Sequence, residues 1–140
     1  MSYTHIAVAT SLLDEKHALI DKGIALASAL NARLSLIYVD EHHASYYSDL
    51  GNSVPNFSES SFEEKIKREM QPVIDKAIYP IAEIIVRRGE LVYELQTASE
   101  EKAIDLFIFG HHQDLWGSLF SSTRNAINFL PVDVLVIPIK

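Results

Sequence analysis

Cysteine is absent from the 140-residue chain, so disulfides, thiolate metal sites and thiol catalysis are all excluded. Bases are scarce: 12 Lys and Arg stand against 19 Asp and Glu, a formal net charge of −7. Non-specific nucleic-acid binding draws most of its affinity from phosphate neutralisation, so this balance argues against a nucleic-acid partner. The shortage is also local. Between Asp40 and Glu64 six acids occur without a single Lys or Arg, and only Arg124 and Lys140 follow Lys102. A polyanionic ligand near either segment meets an unfavourable field.

No apolar run approaches membrane-spanning length, and Met1-Ser2-Tyr3-Thr4-His5 lacks the basic start of a signal peptide. A soluble, cytoplasmic protein with no membrane partner is the expectation. Catalytic motifs are missing as well: there is no Gly-x-Ser-x-Gly elbow, no metal-ligand helix motif and no Walker-type Gly-x4-Gly-Lys-Ser/Thr. Glu63-Glu64 and Glu100-Glu101 read as solvated helix faces. Ser, His and Asp are all present, but no spacing forces them together. The chain is expected not to be an enzyme.

What is present is an alternation of apolar runs and helical patterns. The length suits one domain spanning 1–140, large enough to bury a core without staples. Five runs read as strands: His5–Thr10, Leu34–Val39, Glu83–Val86, Leu106–Phe109 and Val132–Ile137. Four of them are near-continuous aliphatic or aromatic stretches, as a parallel sheet covered on both faces requires. The third is short and flanked by charge, which places it nearer an edge.

Between the runs lie helices. Asp14 can cap the first, with Ala18, Leu19, Ile24, Ala25, Ala29 and Leu30 inward and a stop near Asn31. Ser60 or Ser61 can cap the second, where Phe62, Ile66, Met70, Val73, Ile74 and Ala77 recur at helical spacing. Pro72 falls inside that pattern and is expected to kink or break it. A third helix is predicted from about Leu91 to Lys102 and a fourth from about Ser122 to Phe129, ending before Pro131. No repeat or low-complexity tract interrupts this α/β pattern with right-handed crossovers. The long polar segment from Glu41 to Ser60 is the exception, and it is expected over the carboxyl edge of the sheet.

The most informative stretch is Asp105-Leu106-Phe107-Ile108-Phe109-Gly110-His111-His112-Gln113-Asp114. It reads as a buried strand followed by a polar cluster, where open α/β sheets place their ligands. Gly110 reads as a tight turn after the strand. Ser121, Ser122 and Thr123 can form a small anion nest beside Arg124, or one hydroxyl can simply cap the helix. His42-His43 and His111-His112, with Asp40, Glu41 or Asp114, invite a metal reading. Adjacent strand residues point to opposite faces, however, so no metal site is expected. Trp116 reads as a packing anchor. Tyr46 and Tyr47 can cover apolar surface or meet a partner.

Gly110-His111-His112-Gln113-Asp114-Leu115-Trp116, followed by Ser121-Ser122-Thr123-Arg124, resembles the signature region of the universal stress protein A family. Tyr3–Ala9, Leu34–Asp40 and Val132–Pro138 agree, so the resemblance spans essentially the whole chain. It implies a Rossmann-like five-stranded parallel sheet in the order 3-2-1-4-5, with helices on both faces, and a homodimer through the last strand. Nucleotide-binding members carry Gly-x2-Gly-x9-Gly-Ser/Thr after the fourth strand, the later glycines letting phosphates approach bare backbone. Here Gly110 matches the first glycine, but Gln113 and Thr123 replace the others. Ser11 stands where binders use an aspartate. Ser11, Val39, Gly110, Gln113, Ser122, Thr123 and Arg124 are then residual pocket positions, and no ATP or other cofactor is expected.

The implied role is a non-catalytic stress-response factor acting on a protein partner that the sequence does not identify. The alternative is an ATP- or AMP-binding sensor with weak hydrolysis. Some members are phosphorylated on Ser or Thr, and Ser121, Ser122 and Thr123 are the hydroxyls nearest the pocket. For dimer contact the last run offers Val132, Val134, Val136 and Ile137, apolar on both faces beyond what an exposed edge should show. A plain strand buried under helices is the alternative reading of the same residues.

Overall fold

The computed structural model describes residues 3–10, 18–40, 59–112 and 127–139. Within them lie β1 (His5–Ala9), α1 (Ala18–Leu30), β2 (Arg33–Asp40), α2 (Glu59–Lys76), β3 (Glu83–Arg88), α3 (Leu91–Lys102), β4 (Leu106–His112) and β5 (Asp133–Ile139). The five strands are parallel and ordered β3-β2-β1-β4-β5. The charge-flanked third run is indeed an edge strand.

Strand alternation divides the core in two. Ile6 and Val8 of β1, Leu34 and Leu36 of β2 and Leu106 and Ile108 of β4 pack on one face with Leu19, Ile20 and Ile24 of α1 and Ile66 and Met70 of α2. Ala7, Ile37, Ile85, Phe107 and Phe109 point the other way, onto Leu95 and Ala98 of α3. Every second residue thus serves a different layer, which is why β1, β2 and β4 need apolar residues throughout.

The helices correct the sequence reading in detail. In α1 the buried face is Leu19, Ile20, Gly23, Ile24 and Ala27, whereas Ala18, Ala25 and Ala29 are exposed. The helix docks through Gly23, not through its outer alanines. It ends in a Schellman turn: Asn31 takes φ 54°, with N–H bonds from Ala32 to Ala27 O at 2.9 Å and from Asn31 to Ser28 O at 3.4 Å. Asp14, its expected cap, lies outside the described residues.

Helix α2 begins at Glu59, ahead of the expected caps Ser60 and Ser61, and runs unbroken through Pro72 to Lys76. Pro72 is exposed, so the ring faces water and the missing N–H forfeits one ladder bond rather than the helix. Helix α3 has the predicted limits. Its start is fixed by Glu90, whose carboxylate accepts from Val92 N at 3.0 Å and Tyr93 N at 2.8 Å. Residues 127–129 are helical, within the expected fourth helix; its start is outside the described residues, as are 41–58 of the long polar segment.

The amino-terminal edge is fastened by polar groups. Buried His5 sits between Lys102 O (2.8 Å from Nδ1) and Ser35 Oγ (2.7 Å from Nε2). A carbonyl can only accept, so Nδ1 carries a proton and donates to Lys102 O. Asp105 accepts from Thr4 N at 2.8 Å, Thr4 Oγ1 at 2.9 Å and His5 N at 3.0 Å. Partial burial pushes its carboxyl up, but these bonds to the ionised form outweigh that and hold it below the usual aspartate range.

A lowered folded-state value means the contribution is complete above the unfolded value and disappears as pH falls through the folded one. Asp105→Ala is expected to cost about 1–2 kcal/mol at neutral pH, discounted for partial exposure. Urea titrations of parent and variant should converge in acid. A gap that persists below pH ~2 would assign the loss to packing instead.

Candidate functional site at the carboxyl edge of the sheet

The sheet leaves β1 in two directions, toward β2 and toward β4, and so opens a crevice past the carboxyl end of β1. Thr10 N donates to Ile37 O at 2.9 Å, holding the end of β1 to β2. The registers Ala9↔Ile37 and Val8↔Ile108 then put Val39 and Gly110 on the strands to either side. These are the two sequence-predicted pocket positions that the structure places, and β1 separates them. Val39 is half-buried against the α3 layer.

Gly110 corrects the reading of a turn. It lies inside β4, paired with Ile137, and the strand continues through His111 and His112 to Ile139 opposite. Pairing with β5 carries the backbone three residues past the last bulky apolar side chain, something an apolar run alone does not reveal. Ser11, Gln113, Ser122, Thr123 and Arg124 lie outside the described residues. So do Ser121, His42, His43, Tyr46, Tyr47, Asp114 and Trp116. Among the described residues no three His, Asp or Glu side chains gather as a metal site would require.

The structure adds two bases that the linear charge count hides. Parallel pairing sets Arg87 beside Val39 and Arg88 beside Asp40, bringing positive charge against the edge of the base-free segment. Arg87 pairs with Glu101, which holds the Glu101 carboxyl below its ordinary range. The Arg88 guanidinium lies 3.8 Å from the centre of the Phe62 ring, and Tyr38 lies 6.3 Å from that ring. Burial, then the charge of Asp40, raises the Tyr38 hydroxyl. In the sequence the only sign of this arrangement is the pair of bases ending the third run.

At the opposite edge, β5 is paired on one side by β4 and on the other by no described strand. Val134 and Val136 are half-buried in the α3 layer and Ile137 in the α1 layer, while Val132 precedes the strand proper. The apolar groups left most open nearby are Leu135, 39% exposed, Ile127 and Phe129. Tyr3 spans the amino end of this edge, its hydroxyl donating to Asp133 at 2.7 Å, which raises the phenol above its ordinary range.

Comparison with known proteins agrees with this geometry. The model of the universal stress protein family matches residues 2–138. A universal stress protein A homolog of Haemophilus influenzae is 36% identical over 99% of this chain and 98% of its own length. Among solved structures, a universal stress protein of Lactobacillus plantarum superposes with a TM-score of 0.68, at 19% identity over 98% of this chain and 99% of its own. The Archaeoglobus fulgidus protein in complex with dAMP gives 0.64, at 15% identity over 98% and 99%. At those identities the solved structures show the fold alone.

Proposed function

The chain belongs to the universal stress protein family, and from that premise we propose that it is a non-catalytic, cytoplasmic stress-response factor acting as a homodimer through contacts with other macromolecules. One observation carries the reading. By the resemblance, Gln113 and Thr123 stand where nucleotide-binding members carry glycine, and a side chain at such a position would take the space a phosphate needs to reach backbone N–H groups. Ser11 in place of the nucleoside-holding aspartate supports it. The homodimer rests on β5, an edge strand with apolar residues on both faces and Leu135 partly open.

The rival reading, an adenylate sensor, draws on the dAMP complex of the Archaeoglobus fulgidus protein. Native mass spectrometry of the freshly purified chain, with melting curves in ATP, decides between them. The expected result is a dimer mass without retained nucleotide and a melting temperature that ATP leaves unchanged. A site saturated at a hundred times its Kd would gain about 2.7 kcal/mol, or roughly 9 °C in a chain of this size. A shift of that kind, or stoichiometric adenylate in the spectrum, overturns the proposal.

A further inference from the structure

We propose that the outer edge of β3 receives an extended peptide segment of a partner protein, one that carries a basic side chain. This edge is remote from β5 and independent of the phosphate loop, so the inference stands apart from the function proposed above. Strand β3 pairs only with β2 among the described strands. Arg33 N donates to Thr4 O and Thr10 N to Ile37 O, so the odd residues of β2 face β1 and the even ones face β3. In this register Glu83, Ile85 and Arg87 bond inward, a series that Gly89 N continues to Asp40 O at 3.3 Å. The two-residue period of a parallel ladder then turns the N–H and C=O groups of Ile84, Val86 and Arg88 outward.

A groove of about 420 Å³ runs along all six residues of this edge, walled by Phe62 and Glu63 of α2 and by Glu94 and Lys102 of α3. One residue of an added strand fills roughly 160 Å³, from its rise, the strand spacing and the sheet thickness. The groove therefore admits close to three.

Edge strands are commonly guarded by charged side chains that repel a newcomer. Here the guards are drawn aside. Glu83 bridges to Lys102 Nζ at 2.9 Å, Arg87 turns to Glu101, and Arg88 lies over Phe62. The middle of the edge, Ile84-Ile85-Val86, is left without a charge of its own.

The charge of the occupant follows from what remains. Lys67 bridges Glu63 at 3.0 Å, whereas Glu94 has no ion-pair partner among the described residues. Gly89 lets the Glu94 carboxylate close over the carboxyl end of the groove; a Cβ at that position would stand 2.8 Å from Glu94 Oε2. A lysine or arginine there meets an uncompensated carboxylate. A second copy of the chain fits less well: both edges would be recessed between their own helices, and two recesses cannot close to the spacing of about 4.8 Å that pairing needs.

The probe is acetyl-Thr-Val-Lys-Val-Thr-amide titrated into the full-length, isotopically labelled chain, with amide shifts and calorimetry as readouts. Shifts are expected to centre on Glu83–Arg88. N-methylating alternate peptide nitrogens, which keeps every side chain, should weaken binding roughly tenfold or more. Glu94→Gln should weaken the lysine peptide roughly threefold to fivefold and leave a norleucine version unchanged. Val86→Pro removes an outward donor and should abolish binding; if that variant does not fold, the N-methylated peptide tests the same hydrogen bonds from the other side. No binding at about 1 mM peptide, equal binding of the N-methylated form, or shifts centred on β5 would overturn the proposal. So would protection of the outward β3 amides that rises with protein concentration, which would assign the edge to self-pairing.

Discussion

Phe107→Ala is expected to destabilise the fold by about 3–5 kcal/mol, the cost of a large cavity in a core that cannot collapse around it. Phe107 is the largest of the fully buried side chains, near the start of β4 and facing the α3 layer. Its backbone is held on both sides, paired with Ala7 of β1 and Val134 of β5, so neither neighbouring strand can move in independently. On the same face Phe109 stands 6.3 Å away, tilted at 31°, and its own packing weakens with the loss. For a chain of this length the change amounts to roughly 10–17 °C in melting temperature.

Urea denaturation of Phe107→Ala beside Phe129→Ala tests this. Phe129 is 68% exposed, so its removal should lie within about 0.5 kcal/mol in the monomer. A small effect at Phe107 would mean that the two layers are looser than the register implies. A large effect at Phe129 that grows with protein concentration would place that ring in the β5 dimer contact.

Why the strands are legible in the sequence and the helix faces are not is a matter of geometry. Leu34–Val39 and Leu106–Phe109 are apolar at successive positions because each strand is buried on both faces, and a run of that kind needs no phase to be recognised. A helix does need one. Alanines populate every side of α1, so periodicity alone does not tell exposed Ala25 and Ala29 from buried Ala27. Pro72 signals a break in the sequence and makes none in the structure, because its cost depends on whether the ring faces water, a tertiary fact. Glu90 is invisible as a cap because an acid with so long a side chain lacks the short Ser, Thr or Asp signature.

The candidate site divides in the same way. Val39 and Gly110 follow from their place at or just past the end of an apolar run, but Arg88 beside Asp40 requires knowing that β3 pairs with β2. Charge counted along the chain and charge gathered in space are different quantities. Only the second acts on a ligand.

Gly23→Val is expected to destabilise by about 3 kcal/mol, at the upper end of ordinary overpacking. A Cβ built on Gly23 would lie 2.5 Å from Val8 Cγ2, with Leu34 Cδ1 at 3.5 Å and Ile108 Cδ1 at 3.8 Å. The first distance is impossible without movement; the other two are ordinary contacts. Val8 cannot yield easily, being fully buried and β-branched, with little freedom at χ1. The helix must lift instead, at the point where it crosses β1 and β4 two residues before Thr10 and Gly110. A change in the core would thereby widen the crevice at the carboxyl edge.

The smaller Gly23→Ala separates this cause from backbone effects. Alanine gains about 1 kcal/mol over glycine in a helix interior, which here offsets part of the clash and leaves a modest loss. In a Val8→Ala background the obstructing methyl is gone, and the same Gly23→Ala should become stabilising by about 1 kcal/mol. That inversion of sign, read from urea curves of the four proteins in the cycle, is specific to close approach at one methyl group. If Gly23→Ala is equally unfavourable in both backgrounds, the close approach to Val8 is not what reserves this position for glycine.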